Sequence, residues 1–195
     1  MNRDHVLGRT RPFGIALDTP VRKPASPRRL ADLAGLFADE EARKAAADRV
    51  VYRVDAAPVP EQQWELPFSI TTVEPGDVSG ELFMTRGHVH ETPDGEMYYG
   101  LSGHGVLLLF DGTGASWVEM RPGAAGYIPP GWAHRSVNVG IDPYRFLAAY
   151  PGSAGHDYDA VLRDGMGARV FRDGGGFAVL DAGGNPVPEA PRHSL

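Results

Sequence analysis

The chain has 195 residues, 42% hydrophobic and 23% charged, with 25 glycines, 17 prolines and no cysteine. That length suits one domain with a sizeable core, and so much Gly and Pro without a collagen period excludes a helical bundle and points to a turn-rich β protein. A formal charge of −6 with no basic cluster beyond Arg28-Arg29 argues against a nucleic-acid partner. The lack of cysteine removes disulfides, thiolate nucleophiles and Cys-ligated metal, so any ion must rest on His and carboxylate.

In chain order, residues 1–29 carry Pro12, Pro20, Pro24 and Pro27 and read as an extended arm with one short strand at Phe13–Leu17. The opening residues lack an apolar signal core, and the longest apolar run, Val106 to Phe110, falls far short of the ~20 residues of a membrane span. A cytoplasmic protein with no membrane partner is therefore expected. Residues 30–49 turn helical: Leu30, Leu33, Leu36 and Phe37 share a face, and Asp39 caps a second segment that opens with Glu40 and Glu41. This is expected as an external helical flap.

From Val50 the period becomes strand-like, at 51–54, 68–73, 82–85, 96–101, 105–110, 116–120, 125–128, 135–138, 144–149 and 168–171. Turn signals such as Pro75-Gly76, Pro93-Asp94-Gly95 and Pro129-Pro130-Gly131 separate the runs. Short strands at this spacing mean a sandwich, jelly roll or small barrel over 50–171, followed by a mobile tail at 172–195 with at most one edge strand.

His88 and His90 are two residues apart, so in an extended segment both imidazoles leave one face, roughly 6–7 Å apart along the chain. Glu96 opens the next strand after a turn, so a hairpin can fold its carboxylate beside them. His134 follows Pro129-Pro130-Gly131, and if its strand lines the same cavity it is a fourth donor, leaving up to two positions of an octahedral ion for substrate or water. An isolated His-x-His is more often just a solvated strand face than a site. The wider spacing is more specific: His88-Val89-His90, Glu96, Gly103, then Gly123, Pro129-Pro130-Gly131, His134 and Asn138. This pattern resembles the two sequence motifs of the cupin superfamily. The second motif matches throughout. The first lacks a glycine six residues before His88 and has a longer His90–Glu96 gap than the commonest cupin spacing.

Thr85 to His90, Glu96-Met97-Tyr98, Tyr127 to Arg135 and Ala149 to Tyr158 further resemble the cupin-type phosphoglucose isomerases, a likeness that covers roughly residues 11 to 172. The resemblance implies an all-β cupin double-stranded β-helix, or jelly roll barrel, with an N-terminal arm and short flanking helices. It also implies a homodimer that interconverts glucose 6-phosphate and fructose 6-phosphate with one divalent ion per subunit, Fe2+ or Mn2+, with Ni2+ or Zn2+ as further candidates. It makes His88, His90, Glu96 and His134 the metal ligands. Thr71, Thr85, Gly87, Tyr150, His156 and Tyr158 fall around the substrate, chiefly at its phosphate, with Arg86 as supporting charge. Glu96 and Tyr98 are the catalytic candidates, by proton transfer through Glu96, by relay through Tyr98 and water, or by a direct hydride shift.

Two departures bear on selectivity. The hairpin Glu91-Thr92-Pro93-Asp94-Gly95 is one residue shorter than the family's usual length, which can shift Glu96, and Gly100 and Ser102 stand where bulkier or differently polar residues are expected. The rival readings are an isomerase or epimerase of another sugar phosphate, an iron-dependent oxygenase and a sugar-binding cupin. His104 reads as a loop residue, Trp117 and Trp132 as packing, and His5 and His193 carry no assignment.

Overall fold

A computed structural model describes residues 12–17 and 25–193. The flap begins with β1 (Arg28–Arg29), a 3-10 turn (Leu30–Leu33) and α1 (Glu40–Ala45). Then come β2 (Val50–Ala56), β3 (Phe68–Val73), β4 (Asp77–Val78), β5 (Glu81–Leu82), β6 (Glu96–Ser102), β7 (Gly105–Phe110) and β8 (Ala115–Met120). The chain continues through β9 (Ala125–Ile128), β10 (Ala133–Asn138), β11 (Tyr144–Ala149), α2 (Tyr158–Asp164), β12 (Ala168–Asp173) and β13 (Gly176–Asp181).

One sheet runs β1-β2-β3-β11-β6-β9, and opposite it lie β10-β7-β8 and β13-β12-β5-β4. The latter two join where residues 83–85 run beside β10: Thr85 N–H donates to the Ser136 carbonyl at 2.8 Å and Asn138 N–H to that of Phe83 at 2.9 Å. The ladders are antiparallel, as in the double-sheet jelly roll that the resemblance implies.

The inward rows of β6, β11 and β3 meet in register, with Tyr98 beside Ala148 and Ala148 beside Ser69. Val106 to Leu109 are all buried instead of alternating. Their strand is covered on both faces: Leu107 points at β9, where Gly126 has no room for a Cβ, and Leu108 pairs with Trp117, whose outer side is closed by Phe177 and Val187.

Stretches expected at the margins sit differently. The flap has its apolar face in the core, with Leu30, Leu33, Leu36 and Phe37 buried. Buried Glu81 pins it by accepting from Ala38 N–H and from Arg169, both at 2.7 Å. The expected strand at Phe13–Leu17 does not form. The arm instead lies on the outer sheet face, where Phe13 stacks on Phe68, while the start of the β2 edge, at Val50 and Tyr52, pairs with β1. The rest of the arm, 1–11 and 18–24, lies outside the described residues. The stretch from 172 supplies one edge strand, β13, and then docks on β8 through Trp117 Nε1–H to the Val187 carbonyl at 2.8 Å and Ala190 N–H to that of Trp117 at 2.8 Å.

Gly100 has a packing reason to be small. A Cβ there would lie 2.2 Å from the Arg121 carbonyl oxygen, in the turn that Gly100 bonds through Ala124 and Gly123. Gly100→Ala is expected to cost ~1–3 kcal/mol, seen as a melting temperature lower by about 3–10 °C. An unchanged melting curve would show that the β8–β9 turn can move away.

Candidate metal centre and active site

Gly87 directs the chain into the site. Its φ of +79° and the 2.8 Å between a hypothetical Cβ and the His134 carbonyl oxygen both require glycine. Beyond it, His88 and His134 exchange backbone hydrogen bonds at 3.2 and 3.0 Å, which sets their side chains on one inward face. Val89 pairs in turn with Asp157, so His90 emerges beside His88, with ring centroids 5.4 Å apart.

The short hairpin brings Glu96 in. Asp94 N–H donates to the Thr92 carbonyl at 2.8 Å, the Thr92 hydroxyl donates to the Asp94 carboxylate at 2.5 Å, and the Asp94 carbonyl accepts from His90 Nδ1 at 2.8 Å. Gly95 leaves room for Tyr127, whose hydroxyl would lie 2.9 Å from a Cβ. The missing residue therefore does not displace Glu96, because the turn is tied to the histidine it must meet.

Glu96 Oε2 lies 3.8 Å from His88 Nε2, 3.3 Å from His90 Nε2 and 2.8 Å from His134 Nε2. The ligand atoms of the four side chains all fall within 4.8 Å of one another. All four atoms are buried and make no hydrogen bond. Buried polar atoms normally find partners, so four orphans facing one point fit a cation better than any arrangement of protein donors.

The outer nitrogens support this. A carbonyl can only accept, so the contacts from His90 Nδ1 to Asp94 and from His134 Nδ1 to the Trp132 carbonyl at 3.2 Å put a proton on Nδ1, and in the neutral ring Nε2 is then the lone-pair donor facing inward. Burial lowers the His90 pKa, but Glu96 and the Asp94 carbonyl outweigh it and raise it, so a metal ion taking the site displaces that proton. Burial and the neighbouring imidazoles of His134, His156 and His90 push His88 far below its usual range, so it is neutral. Burial pushes the Glu96 carboxyl up, and hydrogen bonds and positive charge from His134 and His90 outweigh it and lower it, so the carboxylate stays ionised when a cation, proton or metal, lies beside it. Three neutral nitrogens and one carboxylate are a hard-to-borderline donor set suited to Fe2+, Mn2+ or Zn2+.

One wall of the centre is aromatic. The His156 ring lies 4.5 Å from His88, 5.0 Å from Tyr150 and 5.8 Å from Tyr158. Tyr98 packs edge-on to His134 at 5.9 Å and stacks on Phe146. At the mouth, a cleft of about 540 Å3 is lined by Arg86, Glu91, His156, Asp157, Tyr158 and Asp159.

A family model described as glucose-6-phosphate isomerase matches residues 27–183. Proteins named glucose-6-phosphate isomerase from Thermococcus kodakarensis and Pyrococcus furiosus are 44% and 42% identical over 179 residues, covering 88% and 87% of this chain and 95% of each relative. The chain belongs to the glucose-6-phosphate isomerase family. A solved oxalate oxidase in complex with glycolate overlaps 56% of this chain and 56% of its own at 16% identity and a TM-score of 0.45, too slight to bear on the site.

Within this member of the glucose-6-phosphate isomerase family the other expected residues are dispersed by depth. Thr71 is buried on β3, level with Phe146 on β11, so it faces the barrel interior one rung away from the row that holds Tyr98. The Thr85 hydroxyl oxygen accepts from Ser136 N–H at 3.0 Å, which leaves its own proton to donate. Arg86 sits over the Tyr158 ring at 5.4 Å and pairs with Asp159 at 3.5 Å, so its charge is at the mouth and not beside the four ligands. His104 is apart from the centre and bonds Glu119 at 2.8 Å. His193 is exposed, and His5 lies outside the described residues.

Three features escaped the sequence reading. Tyr52 on β2 is buried, which raises its phenol's pKa, and it lies near enough to Arg86 and Tyr158 to feel both, which brings a further phenol towards the mouth. Helix α2 carries Tyr158. It was signalled by Asp157, whose carboxylate accepts from the N–H groups of Asp159 and Ala160, and by Gly165 at its end. Glu61, in the connection between β2 and β3, accepts from the Tyr150 hydroxyl at 2.8 Å across 89 residues of sequence. No local pattern announces that contact.

Proposed function

We propose that this chain interconverts glucose 6-phosphate and fructose 6-phosphate, with His88, His90, Glu96 and His134 holding one divalent ion, Fe2+ or Mn2+ first among the candidates. The observation that carries the reading is the convergence of four buried, unpartnered donor atoms in a chain of this family. A divalent ion bound there supplies Lewis-acid stabilisation to the two substrate oxygens whose charge changes during the reaction.

The chain's own groups do the rest. Glu96 is the carboxylate at the centre and is the proposed carrier of the proton between C1 and C2. Its neighbours lower its basicity, so the proton must be acidified by the charge at the centre before Glu96 can take it. Tyr98 is buried, and burial keeps its phenol protonated through the working pH range, so it acts as a hydrogen-bond donor to a substrate oxygen. Tyr150, His156 and Tyr158 present donors outside the ligand set and, with Thr71, Thr85, the Gly87 N–H and Arg86, are assigned to the sugar phosphate. Burial holds His156 below the usual imidazole range, so it binds as a neutral group, and Arg86 brings positive charge to this cleft. Cytoplasmic location follows from such a substrate, which is too polar to cross a bilayer unaided.

The test is turnover of fructose 6-phosphate beside other hexose phosphates, run in D2O. Conversion to glucose 6-phosphate with solvent deuterium entering at C2 supports both the substrate and the proton route through Glu96. Conversion without label would mean transfer without solvent exchange, which a hydride shift and a shielded proton carrier share and which withdraws this support for Glu96, and preference for another hexose phosphate would replace the substrate.

We also propose a homodimer. The outer face of the six-stranded sheet exposes Met97, Tyr99 and Tyr127, 40–64% accessible, beside Phe13 on Phe68. Met97 and Tyr127 are cross-strand partners, so the apolar side chains form one patch. Light scattering is expected to give twice 21.0 kDa, and the double substitution Met97→Glu with Tyr127→Glu a monomer. A monomeric parent protein would contradict this.

A further inference from the structure

We propose that Glu61 is a positioning residue that competes with the substrate's phosphate for the Tyr150 hydroxyl, and so determines how tightly the anionic end is held. The inference rests on the isomerase reading above and deepens it. The connection 57–67 carries Pro58, Pro60 and Pro67, which limit its freedom, and it is seated on the segment after β11. Tyr150 N–H donates to the Pro67 carbonyl at 3.2 Å and Gly152 N–H to that of Glu65 at 3.0 Å. A Cβ on Gly152 would lie 2.3 Å from the Gln62 carbonyl oxygen, so the loop can rest there only against glycine.

This seat delivers a carboxylate to a wall built of donors. Glu61 Oε1 accepts from Tyr150 at 2.8 Å, Tyr150 packs against His156 with ring centroids 5.0 Å apart, and His156 packs against Tyr158. The Glu61 charge acts on His156 and Tyr158 as well as on Tyr150. A phenol has one proton to give, so Tyr150 bonds either Glu61 or an incoming phosphate, not both. A phosphate dianion must therefore displace a charged acceptor and settle beside a like charge. Arg86, the cation lining the cleft, is already engaged with Asp159. A neutral sugar would meet only the first of these costs.

The experiment titrates inorganic phosphate into Mn2+-loaded full-length protein at pH 8 by calorimetry, for the parent, Glu61→Gln and Glu61→Ala. Gln keeps an acceptor for Tyr150 but not the charge, so its Kd is expected about threefold lower; Ala removes both, and its Kd is expected about tenfold lower. In a Tyr150→Phe background the gap between Glu61→Ala and Glu61→Gln should close, because no hydroxyl is left to contest. Equal Kd values for all three proteins, or weaker phosphate binding in the variants, would overturn the proposal while leaving the isomerase reading intact. A parent protein that neither binds phosphate nor converts fructose 6-phosphate would overturn that reading, and this proposal with it. Thermal melting of Glu61→Gln, which is nearly isosteric, checks that the loop is still seated.

Discussion

Replacing His134 with alanine is expected to remove bound metal and turnover together. His134 lies at the closest approach to Glu96, 2.8 Å, and is 1% exposed, so no water replaces its nitrogen without reorganising the core. Loss of a partner merely outside the ligand shell costs about 10–100-fold in metal affinity, and loss of a ligand should exceed that. Turnover should fall by about 1,000-fold, since polarisation of the substrate oxygens supplies several kcal/mol. Elemental analysis alongside the coupled assay checks both. A variant with full metal and full rate would remove His134 from the centre. One with full metal and no rate would make it a substrate contact.

The second large effect is expected at the aromatic wall and has the opposite signature. His156→Ala should raise the KM for fructose 6-phosphate by about 10–100-fold, the cost of one hydrogen bond to a charged group, while metal content stays at one per chain. Tyr150→Phe should cost less, because in the free protein its hydroxyl is already bonded to Glu61 and only the difference between two acceptors is lost. Steady-state kinetics with metal analysis separates the cases. Loss of metal from His156→Ala would show that its contact with the His88 ring supports the ligand geometry.

The strands of the barrel are legible because each carries one face inward and Gly or Pro breaks the pattern at its ends. Strands β3, β7, β9 and β11 begin and end where the sequence pattern places them. The errors fall where a segment's partner is remote. Phe13–Leu17 has strand-like composition but is held by side-chain stacking of Phe13 on Phe68 and not by a sheet ladder, and the flap shows its apolar face plainly without showing that Glu81 and Arg169 clamp it to the barrel. The tail after residue 172 reads as mobile because Gly, Asp and Pro dominate it, whereas its few apolar residues, Phe177, Val179 and Val187, cover the outer side of β7 and β8.

The same division holds in the site. The four proposed ligands are readable because strand alternation and a short turn fix their spacing, and the missing hairpin residue is absorbed by the bond between Asp94 and His90. Tyr150, His156 and Tyr158 needed the family resemblance, since nothing in their local sequence aims them at the histidines. Glu61 and Tyr52 were invisible. Glu61 reaches Tyr150 from a loop, and Tyr52 comes near Arg86 and Tyr158 from another strand, only once the sheets have closed.

Isomerisation is proposed to depend on an ion held by the four buried donors. Stripping the protein with a chelator and following conversion of fructose 6-phosphate to glucose 6-phosphate before and after adding Fe2+ or Mn2+ without oxygen tests this dependence. No turnover is expected in the stripped protein, and restored turnover at one ion per chain. Undiminished conversion by metal-free protein, or a reloaded protein that binds the ion and converts nothing, would contradict it.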